Sequence, residues 1–227
     1  MPVPALVLIG LGVVSALVGG ATLAAYWDDI IIAFKGKKLA ILGARGVGKT
    51  HLSKFLSYGS IPEAYKQTVA PEKAASHRFQ LKDLDLKIKE SLDLSGDKAA
   101  YAEWKELADQ SDVIFYLVRA DRLIDGDEDV EERARDDLRQ IGRWLEARSA
   151  RPLFFIVGTH CDLDREFAML TDDTMGGYMD KFRKLSIVGE LVARGGGGQL
   201  VKVVLGSMKT LHDTEALVYQ IFMQVKP

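Results

Sequence analysis

The chain has a single cysteine, Cys161, among its 227 residues. One thiol cannot form a disulfide within the chain, so the composition excludes a disulfide-stapled scaffold and suits a reducing compartment. We interpret Cys161 as a packing residue and not as a nucleophile. The chain also lacks a dominant basic run, and its formal net charge is -2. The charge pattern therefore gives no reason to expect a nucleic-acid partner.

No residue from Met1 to Trp27 carries a side-chain charge. Residues 3–26 are almost wholly apolar, and this run is longer than the roughly 20 residues that a helix needs to cross a hydrocarbon core. A cleaved signal peptide would place basic residues ahead of a shorter apolar core, whereas Pro2 and Pro4 stand here. The sequence therefore predicts a transmembrane helix over residues 1–27 that contacts the lipid bilayer through residues 3–26.

Basic residues follow the apolar segment at Lys35, Lys37 and Lys38. By the positive-inside rule, the N-terminus is expected outside or in the lumen, and the bulk of the single-pass chain is expected to be cytoplasmic. Residues 28–37 are the predicted juxtamembrane linker, and residues 38–227 are the predicted folded domain. Within the span, small residues recur at every fourth position, which reflects either composition alone or a surface for a second transmembrane helix. These residues are Gly12, Ala16, Gly20 and Ala24.

The segment at residues 43–50 reads G-A-R-G-V-G-K-T and directly follows the apolar residues 39–42. It fits the pattern G-x-x-x-x-G-K-[ST], in which loop N–H groups surround a polyphosphate, a lysine adds positive charge and a hydroxyl binds Mg²⁺. Lys49 and Thr50 occupy the last two positions, and the helix that begins here points its positive end at the same anion. The predicted contacts are Gly43, Ala44, Arg45, Gly46, Val47, Gly48, Lys49, Thr50 and His51.

A second segment, D-L-S-G at residues 93–96, ends a strand-like alternation over residues 84–92. A carboxylate at such a strand end can hold a metal through water, and a glycine three residues later can donate its N–H to a γ-phosphate. Asp93 and Gly96 occupy these positions, so the pair could sense whether that phosphate is present. The pattern is weak by itself and gains weight from its order and spacing in the chain.

Two later segments address the base of a nucleotide. Residues 159–162 read T-H-C-D after an apolar run, and the Asp162 carboxylate can accept two hydrogen bonds from guanine, whereas adenine offers no matching pair of donors. Small and flexible residues follow a later strand-like run, where a backbone N–H could meet the guanine O6. The predicted base contacts are Thr159, His160, Asp162, Ser207, Met208 and Lys209.

In this order, the four segments resemble those of the Ras-like small GTPase superfamily over about residues 38–225. The stretch from Asp93 to Asp121, with Trp104 and the strand-like residues 113–118, is most similar to the Arf-type branch. The beta subunits of signal recognition particle receptors combine such a domain with an N-terminal membrane anchor. The resemblance implies GTP/GDP and Mg²⁺ as cofactors.

The resemblance also implies roles for the loop after the first helix. Thr68 lies in this loop and would complete the Mg²⁺ shell when GTP is bound. Residues 59–75 and 95–105 would present different surfaces in the GTP and GDP states and bind a protein effector or docking partner. The implied metal ligands are Thr50, Thr68 and Asp93.

The chain departs from the family pattern at three positions. His160 stands where the base motif has lysine, and an imidazole can stack on a purine but cannot span back to the phosphate loop. Asp97 stands where Ras and Arf-type proteins have the glutamine that orients the attacking water, so intrinsic hydrolysis should be slow. Arg45 replaces a glycine and could stabilise transition-state charge, obstruct a partner's arginine or point into solvent. The candidate catalytic residues are Lys49, Thr68, Arg45 and Asp97.

Strand-like and helix-like segments alternate along the domain, which predicts an α/β P-loop GTPase fold with a mainly parallel six-stranded sheet and helices on both faces. Residues 76–92 would form a hairpin with the one antiparallel edge. The charges of the helix over residues 128–149 are interpreted as a solvated face. The predicted strands are residues 38–43, 76–83, 84–92, 112–119, 152–158 and 200–206, and the predicted helices are residues 49–58, 98–110, 128–149, 177–193 and 213–225.

These features predict a membrane-anchored small GTPase, a GTP/GDP-dependent switch of low intrinsic hydrolysis rate that recruits a partner at the cytoplasmic membrane face. The alternative is a hydrolysis-deficient, constitutively GTP-bound membrane docking subunit. The missing glutamine favours the docking subunit, whereas the set of lysine, threonine and aspartate favours the switch. A small-molecule kinase with the same loop is disfavoured because it would gain nothing from Asp162.

Overall fold

The computed structural model describes residues 33–58, 87–90, 98–198 and 200–224. Within these ranges, strands and helices alternate along most of the chain. The elements are β1 (Lys38–Gly43), α1 (Lys49–Tyr58), β2 (Lys87–Glu90), α2 (Lys98–Gln110), β3 (Val113–Arg119), α3 (Ala120–Ile124), α4 (Glu128–Glu146), β4 (Leu153–Thr159), α5 (Asp172–Arg183), α6 (Ser186–Gly195), β5 (Val201–Leu205) and α7 (Leu211–Met223). Two 3₁₀ turns, Cys161–Leu163 and Phe167–Met169, follow β4.

The described strands form one parallel sheet in the order β2-β1-β3-β4-β5. Gly43 at the end of β1 pairs with Leu117 of β3, and Arg119 at the end of β3 pairs with Thr159 at the end of β4. The carboxyl ends of the three central strands therefore lie side by side. These strands are almost wholly buried, as expected for a parallel sheet covered on both faces. The predicted α/β class and parallel sheet are confirmed.

The core consists of two hydrophobic clusters that share the sheet. Ile114 and Tyr116 of β3 belong to a cluster with α2, α4, α5 and α6, whereas Val113 and Phe115 belong to a cluster with α1 and α7. Successive side chains of a strand point to opposite faces. The alternation along β3 therefore places helices on both faces of the sheet, as the sequence predicts.

Phe34 lies in the predicted linker, residues 28–37, yet its side chain is fully buried in the second cluster. Its ring packs against Phe222 of α7 with centroids 4.7 Å apart. The backbone is also attached, because the Lys37 N–H donates to the Phe34 carbonyl at 3.0 Å and the Lys87 N–H donates to the Lys37 carbonyl at 3.1 Å. The packed part of the chain thus includes residue 34.

The structure corrects several predicted elements. The single helix predicted at residues 177–193 is two helices, α5 and α6, because Leu185 between them has a non-helical conformation with φ -57° and ψ 132°. The short helix α3 was missed. The described residues contribute five strands and not six; the predicted strand at residues 76–83, with its antiparallel edge, lies outside the described ranges. The strand predicted at residues 84–92 is described only as β2.

The predicted transmembrane helix over residues 1–27, with its possible helix partner, lies outside the described ranges. Among the residues that the structure describes, no helix combines the length and the apolar character that a membrane span requires.

A buried carboxylate joins α2, β3 and α4. Asp137 of α4 is fully buried and accepts hydrogen bonds from the Tyr101 hydroxyl at 2.9 Å, the Tyr116 hydroxyl at 3.0 Å and the Arg133 Nε at 2.9 Å. Burial raises the pKa of Asp137, while the Arg133 charge and the two tyrosine hydroxyls act to lower it. The interpretation of this helix's charges as a solvated face is wrong for Asp137, which is buried because three donors satisfy it.

Candidate functional site

The loop between β1 and α1 runs very close to two neighbouring segments. A Cβ on Gly43, which has φ +141°, would lie 2.5 Å from the Leu117 carbonyl oxygen, and one on Gly48, which has φ +93°, would lie 2.3 Å from the Met208 Cε. Only glycine adopts these positive φ angles readily and has no Cβ that would collide with the neighbouring segments. The loop therefore has bare backbone at both positions, and a loop that surrounds phosphates with N–H groups needs such glycines.

The Lys49 ammonium lies inside this loop. Lys49 begins α1 and its side chain is nearly buried. Its Nζ donates to the Gly43 carbonyl oxygen at 3.1 Å and to the Ala44 carbonyl oxygen at 2.9 Å. A nearly buried cation at a helix N-terminus favours an anionic ligand. The adjacent Thr50 and the loop residue Arg45 are exposed.

The side chain of His51 extends from α1 to α7. Its Nε2 is 3.3 Å from the Thr214 Oγ1, and the Thr214 hydroxyl donates to the Thr210 carbonyl at 2.9 Å. Burial lowers the pKa of His51. A contact of His51 with a ligand in the loop would therefore use its backbone N–H, which lies in the first turn of α1.

The loops after β4 and β5 are joined by hydrogen bonds. The Ser207 hydroxyl donates to Asp162 Oδ1 at 2.9 Å, and the Lys209 N–H donates to the Ser207 Oγ at 3.0 Å. The Cys161 N–H donates to the Gly206 carbonyl at 3.4 Å. Cys161 is fully buried, and burial raises the pKa of its thiol, in agreement with a packing role. Asp162 is thus held by the loop that follows β5.

Thr159, the last residue of β4, connects the phosphate loop, residues 43–50, to the base-side loops. These are the loops after β4 and β5, which contain the predicted base contacts His160, Asp162 and residues 207–209. Thr159 is fully buried, and its Oγ1 lies 3.0 Å from the Val47 carbonyl oxygen, 3.2 Å from the Val118 carbonyl oxygen and 2.9 Å from the His160 Nδ1. Met208, from the other base-side loop, contacts the phosphate loop at Gly48. The first, third and fourth predicted segments therefore meet at the carboxyl edge of the sheet.

His160 is the one non-glycine residue with a positive φ among the residues described, with φ 60° and ψ 27°. This left-handed conformation costs an L-residue roughly 1–2 kcal/mol, and such strain is concentrated at functional sites. Burial and the nearby Arg119 lower the pKa of His160, whereas Asp121 and Asp162 raise it. The net shift is downward, so the imidazole is mainly neutral near pH 7.

An ion pair beside these loops was not predicted from the sequence. Arg119 at the end of β3 donates from Nε to Asp121 Oδ1 at 2.7 Å, and its NH2 group donates to the second carboxylate oxygen. Asp121 is almost buried. Hydrogen bonding to Asp121 raises the pKa of Arg119, and the charge of Asp162 contributes to the same shift. The sequence feature that could have indicated this ion pair is the presence of opposite charges two residues apart at the end of an apolar strand.

Several predicted site residues lie outside the described ranges. They include the metal ligands Thr68 and Asp93, together with Gly96 and Asp97. The first predicted switch region, residues 59–75, also lies outside, whereas residues 98–105 of the second region form the first turns of α2. The metal-binding and water-orienting roles stay predictions.

No protein-family model and no curated protein matches this sequence. Solved structures do match it. One is an ADP-ribosylation factor-like GTP-binding protein, the small COPII coat GTPase Sar1 from Encephalitozoon cuniculi in complex with GDP. It has a TM-score of 0.52 and 18% sequence identity, with 95% of this chain and 90% of that chain covered. The fold is that of an Arf-like GTP-binding protein.

This match confirms the predicted likeness to the Arf-type branch at the level of the fold. The mammalian signal recognition particle receptor also matches, with a TM-score of 0.47 and 13% identity, and with 84% of this chain and 98% of that chain covered.

Proposed function

We propose that this protein is a small GTPase, a guanine-nucleotide switch that is anchored in a membrane by residues 3–26 and recruits a partner at the cytoplasmic face. The observation that carries the proposal is the junction of three loops at one sheet edge. Lys49 lies in the phosphate loop, Thr159 bonds to that loop, and Asp162 is bonded by Ser207 from the third loop. The residues proposed to bind the phosphates and those proposed to bind the base thus lie on loops that are hydrogen-bonded to each other.

The phosphate end of the ligand would be bound by residues 43–50. The positive end of α1 and the ammonium of Lys49 favour an anion at this place. The carbonyl oxygens of Gly43 and Ala44 hold the ammonium inside the loop, beside the backbone that would surround the phosphates.

The base end would be read by Asp162. An ionised carboxylate has about four acceptor positions, and Ser207 uses one of them on Oδ1. Enough acceptor capacity remains for the amino and imino donors of guanine. Because adenine has no such pair of donors, the carboxylate would select GTP and GDP over their adenine counterparts.

A magnesium ion would bind beside the phosphate loop. Thr50, which directly follows Lys49, is exposed and would supply its hydroxyl, and Thr68 and Asp93 would complete the protein ligands. When bound, Mg²⁺ would neutralise charge that develops on the outer phosphates. Residues 59–75 and 95–105 would then differ between the GTP and GDP states and form the surface for a protein partner.

The experiment that tests this proposal releases the nucleotide from the purified full-length chain, identifies it by chromatography and titrates the emptied protein with GDP. GDP is the first probe because the matched Sar1 structure contains it. We expect guanine nucleotide to be recovered and bound more tightly than ADP. Lys49→Ala should abolish binding, while Lys54→Ala, an exposed lysine on the same helix, should not. A preference for ADP would contradict the proposal.

A hydrolysis-deficient, constitutively GTP-bound docking subunit is the second candidate, and Asp97 favours it because glutamine is expected at that position. The two candidates differ in the state of the bound nucleotide. Recovered GTP that is not converted in a single-turnover assay would support the docking subunit. Recovered GDP, or complete conversion of loaded GTP, would support the switch.

A further inference from the structure

We infer that Thr159 is a positioning residue that holds His160 in the Nδ1–H tautomer, so that one hydroxyl connects the phosphate loop to the base-side loop. The geometry of the hydroxyl leads to this assignment without reference to any ligand. Its consequence for nucleotide binding rests on the proposed function.

The assignment follows from counting protons around the Thr159 Oγ1. This atom lies within hydrogen-bond distance of two backbone carbonyl oxygens, those of Val47 and Val118, and of the His160 Nδ1. A carbonyl oxygen can only accept, and a hydroxyl has one proton and two lone pairs. The hydroxyl proton is therefore directed to the carbonyls, and the Nδ1 contact at 2.9 Å needs a proton on the ring nitrogen.

The opposite tautomer is disfavoured at this site. With its proton on Nε2, the ring would offer a lone pair at Nδ1, and three acceptors would then compete for the single proton of Thr159. Because Thr159 is fully buried, water cannot donate in place of its hydroxyl, and a buried polar group that loses its partner is costly. The Nδ1–H tautomer satisfies the hydroxyl as both donor and acceptor.

The backbone and the electrostatics support a neutral, oriented ring. The left-handed conformation of His160 keeps its ring beside the preceding residue's hydroxyl. Burial, and then Arg119, lower the pKa of His160 against the opposing effects of Asp121 and Asp162. The neutral ring then has Nε2 as an acceptor, which a lysine at this position of the base motif would not provide.

The inference deepens the proposed base site. The Thr159 hydroxyl holds the backbone of Val47 in the phosphate loop and the ring of His160 in the base-side loop. Removing this hydroxyl is expected to release both loops from each other. The effect should appear in the ring proton of His160 and, if the protein binds guanine nucleotides, in the affinity for GDP.

The test uses full-length protein labelled with ¹⁵N in its histidine rings, with Thr159→Val, Thr159→Ser and Thr214→Val as variants. Two-bond ¹⁵N–¹H spectra report which ring nitrogen carries the proton, and His160→Gln assigns the signals of His160. Thr214→Val is the matched control, because it removes another fully buried hydroxyl that contacts an imidazole, that of His51. GDP affinity is measured in parallel.

In the wild-type protein, we expect the proton of neutral His160 on Nδ1. Thr159→Val should remove that preference and weaken GDP binding about tenfold, whereas Thr159→Ser should restore both and Thr214→Val should leave the His160 signals in place. A proton on Nε2 in the wild type, or an unchanged Nδ1–H in Thr159→Val, would overturn the inference. If Thr159→Val does not fold, the wild-type and Thr159→Ser spectra still decide the tautomer. Failure to bind GDP would overturn the proposed function but not the tautomer.

Discussion

The Tyr116 hydroxyl donates a hydrogen bond to the Asp137 carboxylate over 3.0 Å, and both side chains are buried. Tyr116 lies on the central strand β3 and Asp137 on α4, so the bond attaches this helix to the sheet beneath it. The same carboxylate also accepts from Tyr101 of α2. Asp137 therefore also bonds to α2, the helix that contains residues 98–105 of the predicted partner surface.

Asp137→Ala should destabilise the protein by about 2–4 kcal/mol, because it leaves the buried Tyr116 hydroxyl without its acceptor and Arg133 without its partner. Chemical denaturation measures the change. Asp136→Ala is the matched control, since Asp136 lies next to Asp137 but forms an exposed ion pair with Arg139. Its expected cost is below about 1 kcal/mol. Equal losses in the two variants would show that the buried network contributes little.

Phe34→Ala should cost about 3–5 kcal/mol in the free energy of unfolding, because it removes a fully buried ring from between the sheet and Phe222. Met169→Ala removes a large side chain that is 78% exposed and should change stability by less than about 0.5 kcal/mol. If Phe34→Ala is as mild as Met169→Ala, residue 34 belongs functionally to the linker.

Two glycine variants distinguish the cost of backbone strain from damage to the proposed nucleotide site. They are Gly48→Ala and Gly126→Ala. Both glycines have positive φ, so each alanine should cost roughly 1–2 kcal/mol of stability. A Cβ at Gly126 meets no atom within 4 Å, whereas one at Gly48 collides with Met208. Isothermal titration with GDP should therefore show weaker binding for Gly48→Ala alone. Equal GDP affinity in both variants would show that the phosphate loop is not part of the ligand site.

Asp162→Asn should weaken GTP binding tenfold or more. The amide has one acceptor and one donor, so one of the charge-assisted hydrogen bonds that the carboxylate would accept from guanine is lost. The same change should improve binding of xanthosine triphosphate, whose edge matches an amide. Asp164→Asn is the control from the same loop, since Asp164 accepts from Tyr178 at 2.7 Å and should not affect base choice. Unchanged GTP affinity in Asp162→Asn would refute the guanine assignment.

Intrinsic GTP hydrolysis should be no faster than about 10⁻⁴ per second, because Asp97 stands where glutamine would orient water. Asp97→Gln should raise the rate or create sensitivity to a partner's arginine, as measured by single-turnover phosphate release. Arg45 is exposed, and Arg45→Gly tests whether it acts on the phosphates. A wild-type rate near about 10⁻² per second that collapses in Arg45→Gly would instead identify Arg45 as a built-in arginine finger.

Three elements of the fold were predictable from local sequence. The strand at residues 38–43, the helix at residues 49–58 and the helix at residues 98–110 have the bounds that the sequence analysis predicts. A continuous apolar run, three glycines and helical periodicity act over a few neighbouring residues, so no distant contact is needed to recognise them. The order of the motifs then indicated the fold.

Only the tertiary structure determines which polar groups are buried and which of them form hydrogen bonds with each other. In the sequence, Asp137 is one of many charges on a helix that is predicted to face solvent. In the structure, it is hydrogen-bonded by Tyr101 and Tyr116 from other elements. Thr159 reaches the Val47 carbonyl across 112 residues of sequence. Hydrophobic periodicity specifies which face of an element is apolar but not which distant donor or acceptor will meet it, because such pairings depend on how strands and helices pack in three dimensions.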